Sequence, residues 1–172
     1  MKETFSYDVL PYPSKFFMQM HPDRLAVIGK FFGMSPANVE TCRVLELGCG
    51  NGSNLIAHAF TMPEASFVGI DLAQSHIDNA KRDAAALGIS NIEFHQMDVA
   101  DMKRDDFGGF DYITAHGLFS WIPEFVRPRV IEIFGEMLNP QGIGYVSYVT
   151  KPGALQRQMV QEMLRHHVRK IS

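Results

Sequence analysis

Short apolar runs alternate with longer amphipathic ones along this chain. Arg43–Leu47 (RVLEL) is a β-rich run that ends in glycines, and Ser66–Ile70, Ile92–Gln96, Phe110–Ala115 and Ile143–Val149 are four further strand candidates. Between them, Ser53–Phe60, Gln74–Leu87 and Pro128–Leu138 read as helices, the second closed by Gly88 and the third opened by Pro128. Upstream, Pro22 suits a first helical position, Leu25, Ile28 and Phe32 follow at helical spacing, and Gly33 is a stop. Residues 1–20 hold Pro11, Pro13 and several aromatics and read as an extended arm leading into that helix. Strands alternating with helices of this length predict βαβ units: an α/β fold with a parallel sheet, right-handed crossovers and helices on both faces.

Composition narrows the function classes. The 172 residues are 46% hydrophobic and 20% charged with a formal net charge of -3, as expected of one globular domain. Charge or glycine interrupts every apolar run, so none reaches the length of about 18–20 residues that spans a bilayer. The first residues, MKETFSYDVLPYPS, have no apolar core after the lysine, so a secretory leader is not expected. Cys42 and Cys49 are too few for a disulfide framework, which makes a cytoplasmic location the expectation. Residues 1–150 hold 11 basic and 18 acidic side chains, a poor composition for a nucleic-acid surface. Residues 151–172 hold five basic residues and one acid, but Leu155, Met159 and Met163 recur at helical spacing and no aromatics are interleaved. A surface helix with a solvated basic face is favoured over a phosphate-binding tail. The histidines show no metal-ligand pattern.

The chemistry concentrates after the first strand. In VLELGCGNG, Gly48, Gly50 and Gly52 follow a strand and precede a helix, whose first N–H groups, at Ser53 and Asn54, would point at a ligand. Asp71 ends the second strand, where a carboxylate can accept both hydroxyls of a ribose. The dinucleotide fingerprint is G-x-G-x-x-G, whereas this loop reads G-x-G-x-G, with Ser53 where the third glycine would fall. Glu46 sits just before the loop, where it would repel a pyrophosphate and attract a cationic amino-acid moiety. Asp98 follows the third strand, placed to accept from an adenine amino group. Three acids and no arginine fit a phosphate-free nucleoside with positive charge, of which S-adenosylmethionine is an example.

On these motifs the chain resembles class I S-adenosylmethionine-dependent methyltransferases: VLELGCGNGSN is similar to that family's first motif, VGID to its second and QMDVAD to its adenine-side motif. YDVLPYPS, HPDRLAVIG, AHGLFSWIP and SYVTKPG resemble a bacterial subgroup that carries a methyltransferase regulatory domain and includes rickettsial protein-lysine methyltransferases. That subgroup reads S-Y-N-T-x-P-G-W in its last motif, where this chain has Val149 and Ala154 in place of the Asn and Trp. The resemblance implies a Rossmann-like doubly wound sheet with strand order 3-2-1-4-5, truncated here before the family's strands six and seven. It also implies three segments: an arm and helix over the cleft (1–38), a cofactor-binding core (39–150) and a C-terminal basic helix (151–172) that starts a missing segment.

Glu46, Gly48, Gly50, Gly52, Asn54, Asp71, Leu72, Asp98, Val99 and His116 form the expected cofactor set, with S-adenosylhomocysteine as product. Leu72 and Val99 are equally readable as plain core. His116, after the fourth strand, is a general base, a wall of the cofactor pocket, or a structural histidine. Tyr148 is favoured over Tyr145 as a second catalytic candidate because it lies nearer the carboxyl end of strand five. Tyr12, Phe119 and Trp121 are candidate acceptor-pocket residues, and Cys49 reads as a small packing residue. The expected partner is a methyl acceptor, protein or small molecule. Strand five would be an open edge, which predicts self-association there or coverage by the C-terminal helix. An inactive cofactor-binding or interaction module, and a nicotinamide-dependent oxidoreductase, are the alternatives.

Overall fold

The computed structural model describes residues 15–168. Among them, five parallel strands form one sheet in the order β3-β2-β1-β4-β5: β1 Arg43–Leu47, β2 Ser66–Asp71, β3 Ile92–Gln96, β4 Phe110–Ala115 and β5 Leu138–Val146. The helices are α1 Pro22–Phe31, α2 Ser53–Thr61, α3 Gln74–Ala86, α4 Arg104–Phe107, α5 Arg127–Met137 and α6 Leu155–Val168. The first four strands match their sequence expectations to within a residue.

Both faces of the sheet are covered, which explains the near-continuous burial of β1 and β2. One face packs Val44, Phe67, Phe94 and Tyr112 against Leu25 and Ala26 of α1, Leu55 and Ile56 of α2, and Ile77 and Ala80 of α3. The other packs Leu45, Leu47, Val68 and Ile113 against Val130, Ile133 and Met137 of α5. The doubly wound architecture is thus the one expected.

Strand five departs from expectation. It starts at Leu138 rather than Ile143 and ends at Val146 rather than Val149. Asn139-Pro140 reads as a turn in sequence, but β5 is an edge strand, where the missing Pro N–H is tolerated. The register shifts by a bulge between Phe110 and Tyr112, and Gln141 takes up the extra length in a left-handed conformation (φ 65°). Ser147 still donates to the Ala115 carbonyl at 3.0 Å, but Val149 turns away to donate to Ser120 Oγ at 2.7 Å. Helix α6 forms as expected, and Leu155, Met159 and Met163 on it are exposed.

Candidate active site

The glycine loop leaves β1 and is fastened to the end of β2. Gly48 and Cys49 donate their N–H groups to the Ile70 carbonyl at 2.8 and 2.9 Å. The Gly50 N–H donates to Asp71 Oδ2 at 2.8 Å. Asp71 Oδ1 accepts the Ala73 N–H at 3.0 Å and lies 3.2 Å from His76 Nδ1. Asp71 therefore organises the loop while remaining at the sheet's carboxyl end.

The loop glycines serve different purposes. At Gly50 (φ 57°) an added Cβ would meet nothing within 4 Å, so this is where the backbone faces open space. At Gly52 (φ 74°) an added Cβ would lie 2.5 Å from the Phe94 ring and 2.9 Å from Ala80 Cβ. Gly52 lets the loop pack onto β3 and α3 and is a packing glycine rather than one that opens onto the cleft. Gly48 abuts Leu118, whose Cδ1 lies 3.0 Å from the ideal Cβ position.

Glu46 is buried near the end of β1, on the face covered by α2. Asn54, in the first turn of α2, donates through Nδ2 to both its carboxylate oxygens, at 3.2 and 3.4 Å. Burial pushes the Glu46 carboxyl up to about 8, the Asn54 hydrogen bond opposes this and the Asp71 charge adds to it. A cation placed against Glu46 would relieve that burial cost. Asn54 Oδ1 in turn accepts the Phe17 N–H at 3.0 Å, an unforeseen contact.

Asp98 stands two residues beyond Gln96, the register partner of Asp71. Its Oδ1 accepts the Ala100 N–H at 2.9 Å and caps a single 3-10 turn, Val99–Asp101. Val99 is buried in the α5-side core, whereas Leu72, 40% exposed, is not a core residue. Glu46, Asp71 and Asp98 thus line the carboxyl ends of three adjacent strands around the open loop, where α/β sheets bind ligands.

His116 follows β4. Its ring centroid lies 3.9 Å from that of Phe17, tilted at 48°, and 6.2 Å from that of Tyr145 of β5, stacked. Its Nδ1 is buried and has no hydrogen-bond partner among the described residues, and desolvation lowers its pKa. The early end of β5 brings Tyr145, not Tyr148, to His116. Tyr148 is 64% exposed and pairs with the Phe119 ring at 6.4 Å. Trp121 is exposed as well. Tyr12 lies outside the described residues. Cys49 is buried, and burial, followed by the Glu46 and Asp71 charges, raises its thiol pKa well above the usual value, which suits packing rather than nucleophilic chemistry. Among the described residues, no group of three or more His, Cys, Asp or Glu could hold a metal ion, and no helix is long and apolar enough to cross a membrane.

Phe17 and His76 are not part of the site read from sequence, and Tyr145 enters it only as the less favoured alternative to Tyr148. His76 is five residues past Asp71, a spacing that could have flagged it. Phe17 carries no local signal, because its partners lie 37 and 99 positions downstream.

A sheet of this order is a doubly wound α/β domain, here with acids at three successive strand ends, where such sheets bind ligands. The sequence profile of the methyltransferase domain family matches residues 38–170, and the chain belongs to that family. It is 41% identical over 161 residues to the uncharacterized protein RP789 of Rickettsia prowazekii, covering 94% of this chain and 29% of that protein. It is 36% identical over 162 residues to the uncharacterized protein RP028 of the same organism, covering 94% of this chain and 64% of that protein. Among solved structures, it resembles PKMT2 from Rickettsia typhi in complex with AdoHcy, with a TM-score of 0.88 and 36% identity over 94% of this chain and 31% of that one. The chain therefore spans under a third of two of these relatives and about two thirds of the other.

Proposed function

We propose that this domain binds S-adenosylmethionine and transfers its methyl group to a nucleophilic acceptor, a protein lysine being the candidate suggested by its likeness to PKMT2. The observation that carries the reading is the set of three carboxylates, Glu46, Asp71 and Asp98, around a loop that is open at Gly50. The set suits the ligand: Glu46 the cationic amino group, Asp71 the ribose hydroxyls, Asp98 the adenine amine, with exposed Leu72 against the adenine face. When bound, S-adenosylmethionine supplies a methyl group on a sulfonium, which leaves as a neutral thioether on in-line attack by the acceptor's lone pair.

The chain's own part is alignment, exclusion of water and proton handling. A lysine acceptor, ordinarily protonated below a pKa of about 10.4, must lose a proton first. His116 Nδ1, buried and without a partner among the described residues, is the atom proposed to take it. Phe119, Trp121, Tyr148 and Tyr12 are proposed to line the acceptor approach. The proposed segments are 1–38 over the cleft, 39–150 as the core and 151–172 as a basic extension. Two free cysteines support a cytoplasmic setting, and β5, paired with β4 alone among the described residues, supports self-association through its open edge.

Thermal unfolding with S-adenosylmethionine, S-adenosylhomocysteine and NAD tests the cofactor. A ligand at 100 times its Kd stabilises by about 2.7 kcal/mol. Both adenosyl compounds should raise Tm and NAD should not. No shift with either adenosyl compound refutes the reading. Val149 and Ala154, which depart from the bacterial subgroup's motif, favour a second reading, a cofactor-binding module without turnover; binding without methylation of any protein or small-molecule acceptor would support it.

A further inference from the structure

Phe17 touches both halves of the site. Its N–H donates to Asn54 Oδ1 at 3.0 Å, and the other end of the same amide donates to the Glu46 carboxylate at 3.2 and 3.4 Å. An amide has one acceptor end and one donor end, so a carboxylate on one side orients the carbonyl toward Phe17. The Phe17 ring, meanwhile, lies against His116 at 3.9 Å. A main-chain anchor on the Glu46 side and a ring on the His116 side thus belong to one residue. Hydrogen bonds in series polarise one another, so a stronger charge at Glu46 strengthens the bond to Phe17.

We propose that Phe17 is a positioning residue that couples occupancy at Glu46 to the seating and dryness of the His116 imidazole. The coupling rests on the cofactor reading above. It implies order: a cation settling at Glu46 holds that carboxylate ionised, tightens Asn54 on Phe17, and presses the ring onto His116 before an acceptor arrives. Tyr145, stacked at 6.2 Å, is a titratable group beside the same ring.

The test is proton NMR of the full chain, following the His116 ring resonance against pH, assigned by its absence in His116→Gln. Phe17→Ala should raise the His116 midpoint toward the ordinary value of about 6.5 and weaken S-adenosylhomocysteine binding about tenfold by calorimetry. Phe17→Leu, which keeps an apolar cover, should fall between wild type and Phe17→Ala in both measurements and remains informative should the alanine variant not fold. Saturating S-adenosylhomocysteine should shift the wild-type His116 resonance and leave that of Phe17→Ala in place. An unchanged His116 midpoint, unchanged affinity, or a ligand-induced shift that survives in Phe17→Ala overturns the coupling. Wild-type protein that binds no S-adenosylhomocysteine instead overturns the cofactor reading, and the ligand-free titration still reports on the Phe17–His116 contact.

Discussion

The Gly50 N–H and the Asp71 carboxylate meet at 2.8 Å, so the residue expected to hold a ribose also holds the loop that would surround it. Each carboxylate oxygen has two lone pairs. Oδ2 serves Gly50, whereas Oδ1 serves Ala73 and lies 3.2 Å from His76 Nδ1, so the acceptor capacity left for a ligand's hydroxyl is on Oδ2.

Asp71→Ala should therefore fail twice. It strands two backbone N–H groups, at about 1–3 kcal/mol each where they are buried, and it removes the ribose acceptors. Urea unfolding should show the stability loss, and calorimetry should show no measurable S-adenosylhomocysteine binding. Asp71→Asn keeps an acceptor for Gly50 and should retain most of the stability while binding about 10–100-fold more weakly, the worth of one or two charged hydrogen bonds.

Gly50 and Gly52 should separate binding from folding. Gly52→Ala drives a methyl into Phe94 and Ala80 in a left-handed backbone, and should cost about 2–4 kcal/mol in unfolding free energy. Gly50→Ala meets no atom and should cost only about 1–2 kcal/mol of backbone strain. Its methyl, however, projects into the space proposed for the ligand, so affinity should drop while the fold persists.

Cofactor binding should improve with alkalinity. Glu46 must be ionised to attract an ammonium group, and its carboxyl is held up to about 8. S-adenosylhomocysteine affinity should therefore rise between pH 6 and 8 and level off above, while Glu46→Gln should bind weakly with no such slope. A pH-independent wild-type Kd across that window would contradict the assignment.

Stability of the ligand-free protein should follow two opposed titrations. Glu46 ionises near 4.5 unfolded and about 8 folded, so its contribution is present below 4.5 and is lost as pH rises toward 8. His58 is buried on α2 beside His21, and burial, then the His21 charge, lowers it from 6.5 to about 4. The unfolded chain binds that proton first, so the His58 contribution is complete above 6.5 and is lost as pH falls toward 4. The slopes oppose one another between 4.5 and 6.5, leaving a net loss of about 2 kcal/mol from pH 6.5 to 8. Chemical denaturation across pH should show that fall, and Glu46→Gln should remove it.

Local pattern carried much of this protein. Apolar runs between glycines placed β1 to β4, because a strand buried on both faces must be apolar along its length. Glycine spacing placed the loop, and the acids at strand ends placed Glu46, Asp71 and Asp98. Pro22 and Gly33 bounded α1 because proline fits a helix's first turn and glycine its exit.

Other features depended on neighbours that no local period encodes. Asn139-Pro140 lies inside β5 because that strand is at the sheet's edge, and edge position is a property of the whole sheet. The resulting register puts Tyr145 beside His116 and sends Tyr148 outward. Gly52 is a packing glycine because Phe94, 42 positions away, lies against it. Phe17 reaches Asn54 and His116 only once the chain has closed over β1 and β4. The sequence by itself determined the elements and the chemistry they carry, through periodicity and backbone freedom. Tertiary structure decided which groups share a hydrogen bond or a face, because those contacts form only when packing offsets the entropy of bringing distant segments together.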